Sequence, residues 1–154
     1  MKKKPFILYA LLGLLLFQGI GAMGGGGALM IRPDGSILHM PLSPLAESVF
    51  PNYLIPGLIL FFILGVFPVF TFYLLLRQPQ WHFLGALNIY SDRYVGWMFS
   101  LFIGISLIIW MYVELVEIGY GSIVQTIYFV LGLLILILTL TPGVMKYYER
   151  KISS

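Results

Sequence analysis

From Pro5 to Ile31 the chain carries no charged side chain, and the same is true from Tyr53 to Leu76, from Tyr94 to Val113 and from Ile123 to Thr141. Four such runs constrain the fold more than any other feature. A helix crossing a hydrocarbon core roughly 30 Å thick takes about 20 residues. Each run is long enough to cross, and a helix is the open-chain structure that satisfies its own backbone hydrogen bonds in lipid. Composition agrees, with 60% hydrophobic and 10% charged residues against roughly 25% charged in soluble domains. The predicted fold is all-α: an antiparallel four-helix transmembrane bundle forming one domain over residues 1–154, with spans near 5–28, 53–76, 94–118 and 123–142. An outer cap of residues 29–52 and an inner connection of residues 77–93 complete it.

Orientation follows from the basic residues. Lys2, Lys3, Lys4, Arg77, Arg93, Lys146, Arg150 and Lys151 fall on one side of this arrangement, and Arg32 alone falls on the other. The positive-inside rule then predicts cytoplasmic N- and C-termini and an extracytoplasmic cap. The net charge of +3 is dispersed over helix ends, which points to topology and away from a nucleic-acid partner. With no cysteine, disulfides, thiolate metal sites and cysteine nucleophiles are excluded. The first run also has the look of a secretory signal with small residues before a cleavage point at Ala22. Its length and its glycines at 13, 21 and 25, a small-residue face suited to helix packing, favour a retained span. The run Gly24–Gly27 predicts that this helix frays or ends there.

The cap reads as a chain of turns. In "RPDGS", Pro33 presets φ, Asp34 tolerates the second central position and Gly35 supplies a positive φ, so a short β-hairpin is expected. In "LSPLAESVF", Ser43 as N-cap, Pro44 at the first helical position and Glu47 near the positive end predict a short surface helix that Pro51 stops. The elements "GG" before "PDGS", then "MPLS", then "YLIPGLIL", with a tryptophan four residues before a polar residue and "LGLLIL" in the last span, resemble a family of small four-helix bacterial membrane proteins. The resemblance covers nearly the whole chain. It implies four spans and a bacterial inner (cytoplasmic) membrane and carries no function; His39 stands where that pattern has glycine.

Within the spans, Pro68 beside Gly65 predicts a kink, because it removes the bond to the Leu64 carbonyl. Gln18 is predicted to seek an interhelical partner. Gly96, Ser100 and Gly104 form a small-residue packing seam on the third span. At about 100° per residue, with Gly96 at zero, Trp110 lies at about −40°, Glu114 at about 0° and Glu117 at about −60°. Glu114 therefore faces the bundle, near the outer boundary of the hydrocarbon. Trp110, Glu114, Glu117 and Gln125, with Arg32 close by, are the candidate ligand-binding residues. They suit a cationic or amphiphilic ligand, the ring face and the carboxylate supplying the attraction. The bland alternative is a pair of interfacial glutamates in water or paired with Arg32.

No nucleophile elbow, phosphate-cradling loop or paired histidine motif is present, so no catalytic residue, cofactor or metal is assigned. A metal on His39, Asp34 and Glu47 has no supporting spacing. Tyr94, Trp97 and Tyr112 fit aromatic belts, and Trp81 and His82 lie in the inner connection. The functional expectation is a non-enzymatic binding or partner-stabilising membrane protein. Its partners would be the bilayer, a membrane-protein partner or second copy, and a lipid-like or cationic small molecule. The alternative is a small proton-coupled transporter or transporter subunit using Glu114.

Overall fold

A computed structural model describes residues 3–150, so Lys2 and Lys151 of the charge tally lie outside the described residues. Every long element is helical. Helix α1 is Phe6–Ile31, α2 is Leu54–Arg77, α3 is His82–Ala86, α4 is Val95–Ile118, α5 is Ile123–Thr139 and α6 is Pro142–Tyr147. Helices α1, α2 and α4 are long and apolar enough to cross a membrane, and α5 is a shorter apolar helix of 17 residues. In a lipid-facing bundle the apolar effect does little to hold helices together, so close packing and interhelical hydrogen bonds must do it. Two crossings show how.

The first is α1 against α2, where the glycines that matter are not those at 13, 21 and 25. A Cβ built on Gly26 would stand 2.5 Å from the Phe61 nitrogen and 2.7 Å from the Gly57 carbonyl oxygen, and one on Gly19 would stand 3.0 Å from the Gly65 oxygen. Gly13 has open space around it, and Gly25 meets only a leucine methyl at 3.6 Å. The packing face is therefore Gly19, Ala22, Gly26 and Leu29, which recur at three- and four-residue intervals. This also corrects the expected end at Gly24–Gly27. The helix runs through to Ile31 because backbone contact at Gly26 holds that segment against α2.

The second crossing is α4 against α5. Gly104 meets Gly132, each built Cβ lying 3.1–3.3 Å from the other's carbonyl oxygen. The fully buried Ser100 accepts from the Thr139 hydroxyl at 3.2 Å. Gly96, the third member of the expected seam, instead sits against Tyr94 and Leu75. The seam thus divides between two neighbours, and Gly132 supplies the partner glycine.

Helix α2 is not uniformly α-helical. Residues Ile59–Val66 form a π-helical stretch, and the Phe67 N–H reaches back to the Phe62 carbonyl. Pro68 follows it. The Leu64 carbonyl, which an N–H at position 68 would have met, accepts from Gln18 Nε2 at 3.1 Å. Gln18 thus makes the interhelical bond expected of it, and its partner is the carbonyl that Pro68 frees. The irregularity expected at Gly65 and Pro68 takes the form of this wide turn.

At the basic end the chain is knotted. Tyr148, 2% exposed, donates through its hydroxyl to the Leu75 carbonyl at 2.7 Å, and its own carbonyl accepts from the Tyr94 N–H at 2.9 Å. Burial pushes the Tyr148 phenol well above its ordinary pKa. Arg150 donates from its backbone to Asp92 and from its guanidinium to Gln80, and it lies over the Tyr94 ring. Trp97 donates to the Thr139 carbonyl at 2.8 Å. Tyr94 and Trp97, expected in aromatic belts, are buried at 2% and 3% exposure: the Trp97 indole meets Thr139 inside the bundle, and the Tyr94 hydroxyl meets the Pro79 carbonyl of the inner connection at 3.0 Å. Tyr112 remains exposed, and Trp81 stacks near Phe70, Tyr73 and Phe83 beside α3.

Candidate functional site: a cavity under the cap

The cap is built from turns, and among the described residues no strand forms. The expected hairpin is replaced by 3-10 turns at Ser36–Leu38 and Ser43–Leu45. The "RPDG" turn itself is present: Gly35 donates to the Arg32 carbonyl at 3.0 Å and has a φ of 77°. Asp34 Oδ1 accepts the Ser36 N–H at 3.0 Å, and this bond holds its carboxyl below the usual range. The chain then turns again, with His39 at a φ of 54°, a left-handed conformation that glycine favours. Two such bends so close together fold the second half of the turn away from antiparallel pairing. Ser43 is the first residue of its turn, with Leu42 in the N-cap position and no side chain capping it, and the expected surface helix is a single turn.

What anchors the cap is a small apolar cluster of Leu29, Leu45 and Tyr53, with Met40, Phe50 and Ile118 packed against it. Tyr53, 1% exposed, donates from its backbone to Pro33 at 2.9 Å and from its hydroxyl to Pro41 at 2.8 Å. One further tie comes from α4, where Glu117 Oε2 accepts the Val49 N–H at 3.0 Å.

Beneath this lid lies a cavity of about 620 Å³, within the roughly 300–1,000 Å³ of small-molecule sites. Helix α1 contributes Gln18, Gly21, Ala22 and Gly25 to its wall. Helix α4 contributes Leu107, Trp110, Met111, Glu114 and Ile118, and α5 contributes Val124, Gln125 and Tyr128. The lid adds Leu38 to Pro41, Pro44 and Tyr53. A side void of about 30 Å³ between Phe50, Val113 and Glu117 shares Trp110 and Glu114 with it, room enough for water.

Three of the five candidate residues, Trp110, Glu114 and Gln125, line one space. Glu114 is half-buried and shares this wall with Trp110 and Gln125. Trp110 Nε1 is buried and has no hydrogen-bond partner among the described residues. The Gln125 side chain is also committed to the start of α5. Its Oε1 accepts from Gly121 at 2.9 Å and its Nε2 donates to Gly119 at 3.2 Å, while Ser122 caps the helix reciprocally. Glu117 faces the side void and holds the cap. Arg32 is exposed, lies off the cavity wall, and forms no ion pair with either glutamate.

Sequence reasoning did not assign Gln18, Tyr53, His39 or Tyr128 to this site. Tyr128 stands three residues after Gln125, a spacing that puts both on one helix face, so it was open to the same argument. Gln18 was legible as a polar group in need of a partner, and its Oε1 has none. The two histidines fall far apart, His39 on the cavity lid and His82 beside Arg150 at the basic end. Among the described residues no group of three potential metal ligands gathers, at His39, Asp34 and Glu47 or elsewhere.

Comparison with known protein families, with curated proteins and with solved structures finds no match to this chain.

Proposed function

We propose that the chain crosses a bacterial inner membrane four times, with α5 as the fourth span, both termini in the cytoplasm and the cap outside. In this reading it is a non-enzymatic binding protein that holds a cationic or amphiphilic molecule in the cavity under the cap. The observation that carries the reading is the meeting of Trp110 and Glu114 on one wall of a cavity large enough for a small molecule. An indole face attracts cations and a half-buried carboxylate supplies the counter-charge, both more effectively where water is thin. The resemblance to small four-helix bacterial membrane proteins and the eight-to-one distribution of basic residues support the membrane and the orientation.

Dodecyltrimethylammonium binding to the purified protein tests the site. Glu114→Gln is expected to weaken it by about tenfold or more, the equivalent of 1.4 kcal/mol, while Glu117→Gln, whose carboxylate is occupied with Val49, leaves it within about twofold. Equal losses in the two variants overturn the assignment. Reporter fusions after Gln80 and Leu45 should read cytoplasm and exterior respectively, and the reverse pattern overturns the topology. Substrate uptake that collapses with a proton gradient would replace binding by transport through Glu114.

A further inference from the structure

We infer that the occupant of this cavity comes from the bilayer itself: a lipid with an ammonium head, admitted sideways between α1 and α5 across Gly21 and Gly25, its head at Glu114. The inference rests on the proposed binding function and adds the source and pose of the ligand. Gly21 lines the cavity and is at the same time exposed on the protein's surface, so the cavity opens on the flank of α1. Gly21 is ten residues from the end of that helix at Ile31, about 15 Å at 1.5 Å per residue. An opening so far from the helix end faces lipid chains in a hydrocarbon core roughly 30 Å thick.

The two glycines on this wall do not carry the backbone crossing between α1 and α2. Gly19 and Gly26 bring α1 onto the backbone of α2, whereas a Cβ on Gly25 would touch only Leu60 Cδ2 at 3.6 Å, and one on Gly21 would meet the Tyr128 hydroxyl across the opening at 2.7 Å. At Gly21 the Tyr128 hydroxyl takes the place a side chain would fill, so that ring has to turn aside for a chain to pass. A second and independent observation concerns Trp110. It is 7% exposed, lines the cavity, and its one polar atom has no partner. A buried N–H is costly until an acceptor arrives. Down α4 the wall reads Glu114, then Trp110 one turn deeper, then the apolar Leu107. That order of carboxylate, N–H donor and hydrocarbon matches an ammonium head, the phosphodiester oxygen behind it and an acyl chain. A water-soluble cation would satisfy only the first.

Reconstitution in vesicles with brominated acyl chains tests this, because bromine quenches tryptophan on contact. The emission of Trp110 is taken as the difference between the protein and Trp110→Phe. Brominated phosphatidylethanolamine is expected to quench it with about tenfold preference over brominated phosphatidylglycerol. Gly25→Leu, or Gly21→Leu should the first fail to fold, removes the quenching; Gly13→Leu, in open space on the same helix, preserves it. If Trp110 is not quenched, or is quenched equally in the Gly25→Leu and Gly21→Leu proteins, lateral admission is overturned. Equal quenching by the two lipids overturns the head assignment. Loss of dodecyltrimethylammonium binding in Glu114→Gln, with no effect of either glycine substitution on Trp110 quenching, leaves the binding function standing and removes the bilayer as its source.

Discussion

The two ends of the bundle each rest on a fully buried tyrosine whose hydroxyl meets a backbone carbonyl, and they use it differently. Tyr148 at the basic end bonds to Leu75 in α2 and, through its backbone, to Tyr94 at the start of α4. It joins segments far apart in sequence into one knot. Tyr53 at the cap end bonds to Pro41 and Pro33, both within the cap. The first tyrosine ties helices to one another, whereas the second ties the cap together and leaves its hold on the bundle to Glu117 and to the contacts with Leu29 and Ile118.

Substituting both tyrosines breaks this comparison most sharply. Tyr148→Ala is expected to cost about 3–5 kcal/mol of global stability, the usual range for removing a buried ring, seen as a lowered melting temperature in detergent. Tyr53→Ala should instead release the cap alone: hydrogen exchange rises across residues 33–53 while exchange in α4 and α5 is little changed. A cooperative collapse in both variants would show that the ends are a single unit.

A middle-sized effect is expected at Gln18, which stands between the two ends. Gln18→Leu strands the Leu64 carbonyl and should cost about 1 kcal/mol, with faster exchange confined to residues 59–68. An unchanged exchange rate there would mean that the wide turn holds without the Gln18 bond.

The smallest effect separates the two glutamates. Glu117→Gln keeps an oxygen for the Val49 N–H and should change the cap's stability by no more than about 0.5 kcal/mol. Glu114→Gln removes a half-buried charge with no ion pair and should leave the ligand-free protein as stable or slightly more so. A marked destabilisation by Glu114→Gln would assign that carboxylate to the cap's support.

The long helices were legible because lipid imposes one rule on every backbone group, and an uncharged run reports it directly. The orientation of Glu114 toward the bundle was legible from helical period alone. The glycine contacts were not. A helix presents glycines on several faces, and only the approach of α2 decides that Gly19 and Gly26 carry the packing while Gly21 and Gly25 line open space. The cap was misread for a related reason. "RPDGS" specifies one tight turn, but whether the arms pair depends on the residues beyond it, and His39 bends the second arm away. Nothing local announces that Gln18 answers Pro68, since the two are joined across a helix crossing.

That join has a mechanical consequence. A π-helical turn followed by proline is softer in bending than the α-helix on either side, because its hydrogen bonds are longer in reach and one is missing. Helix α2 therefore changes its winding between Ile59 and Pro68, and α1 grips it there through Gly19 and Gly26 as well as through Gln18. The stretch of α2 with the weakest internal bonding is thus the one its neighbour holds most closely.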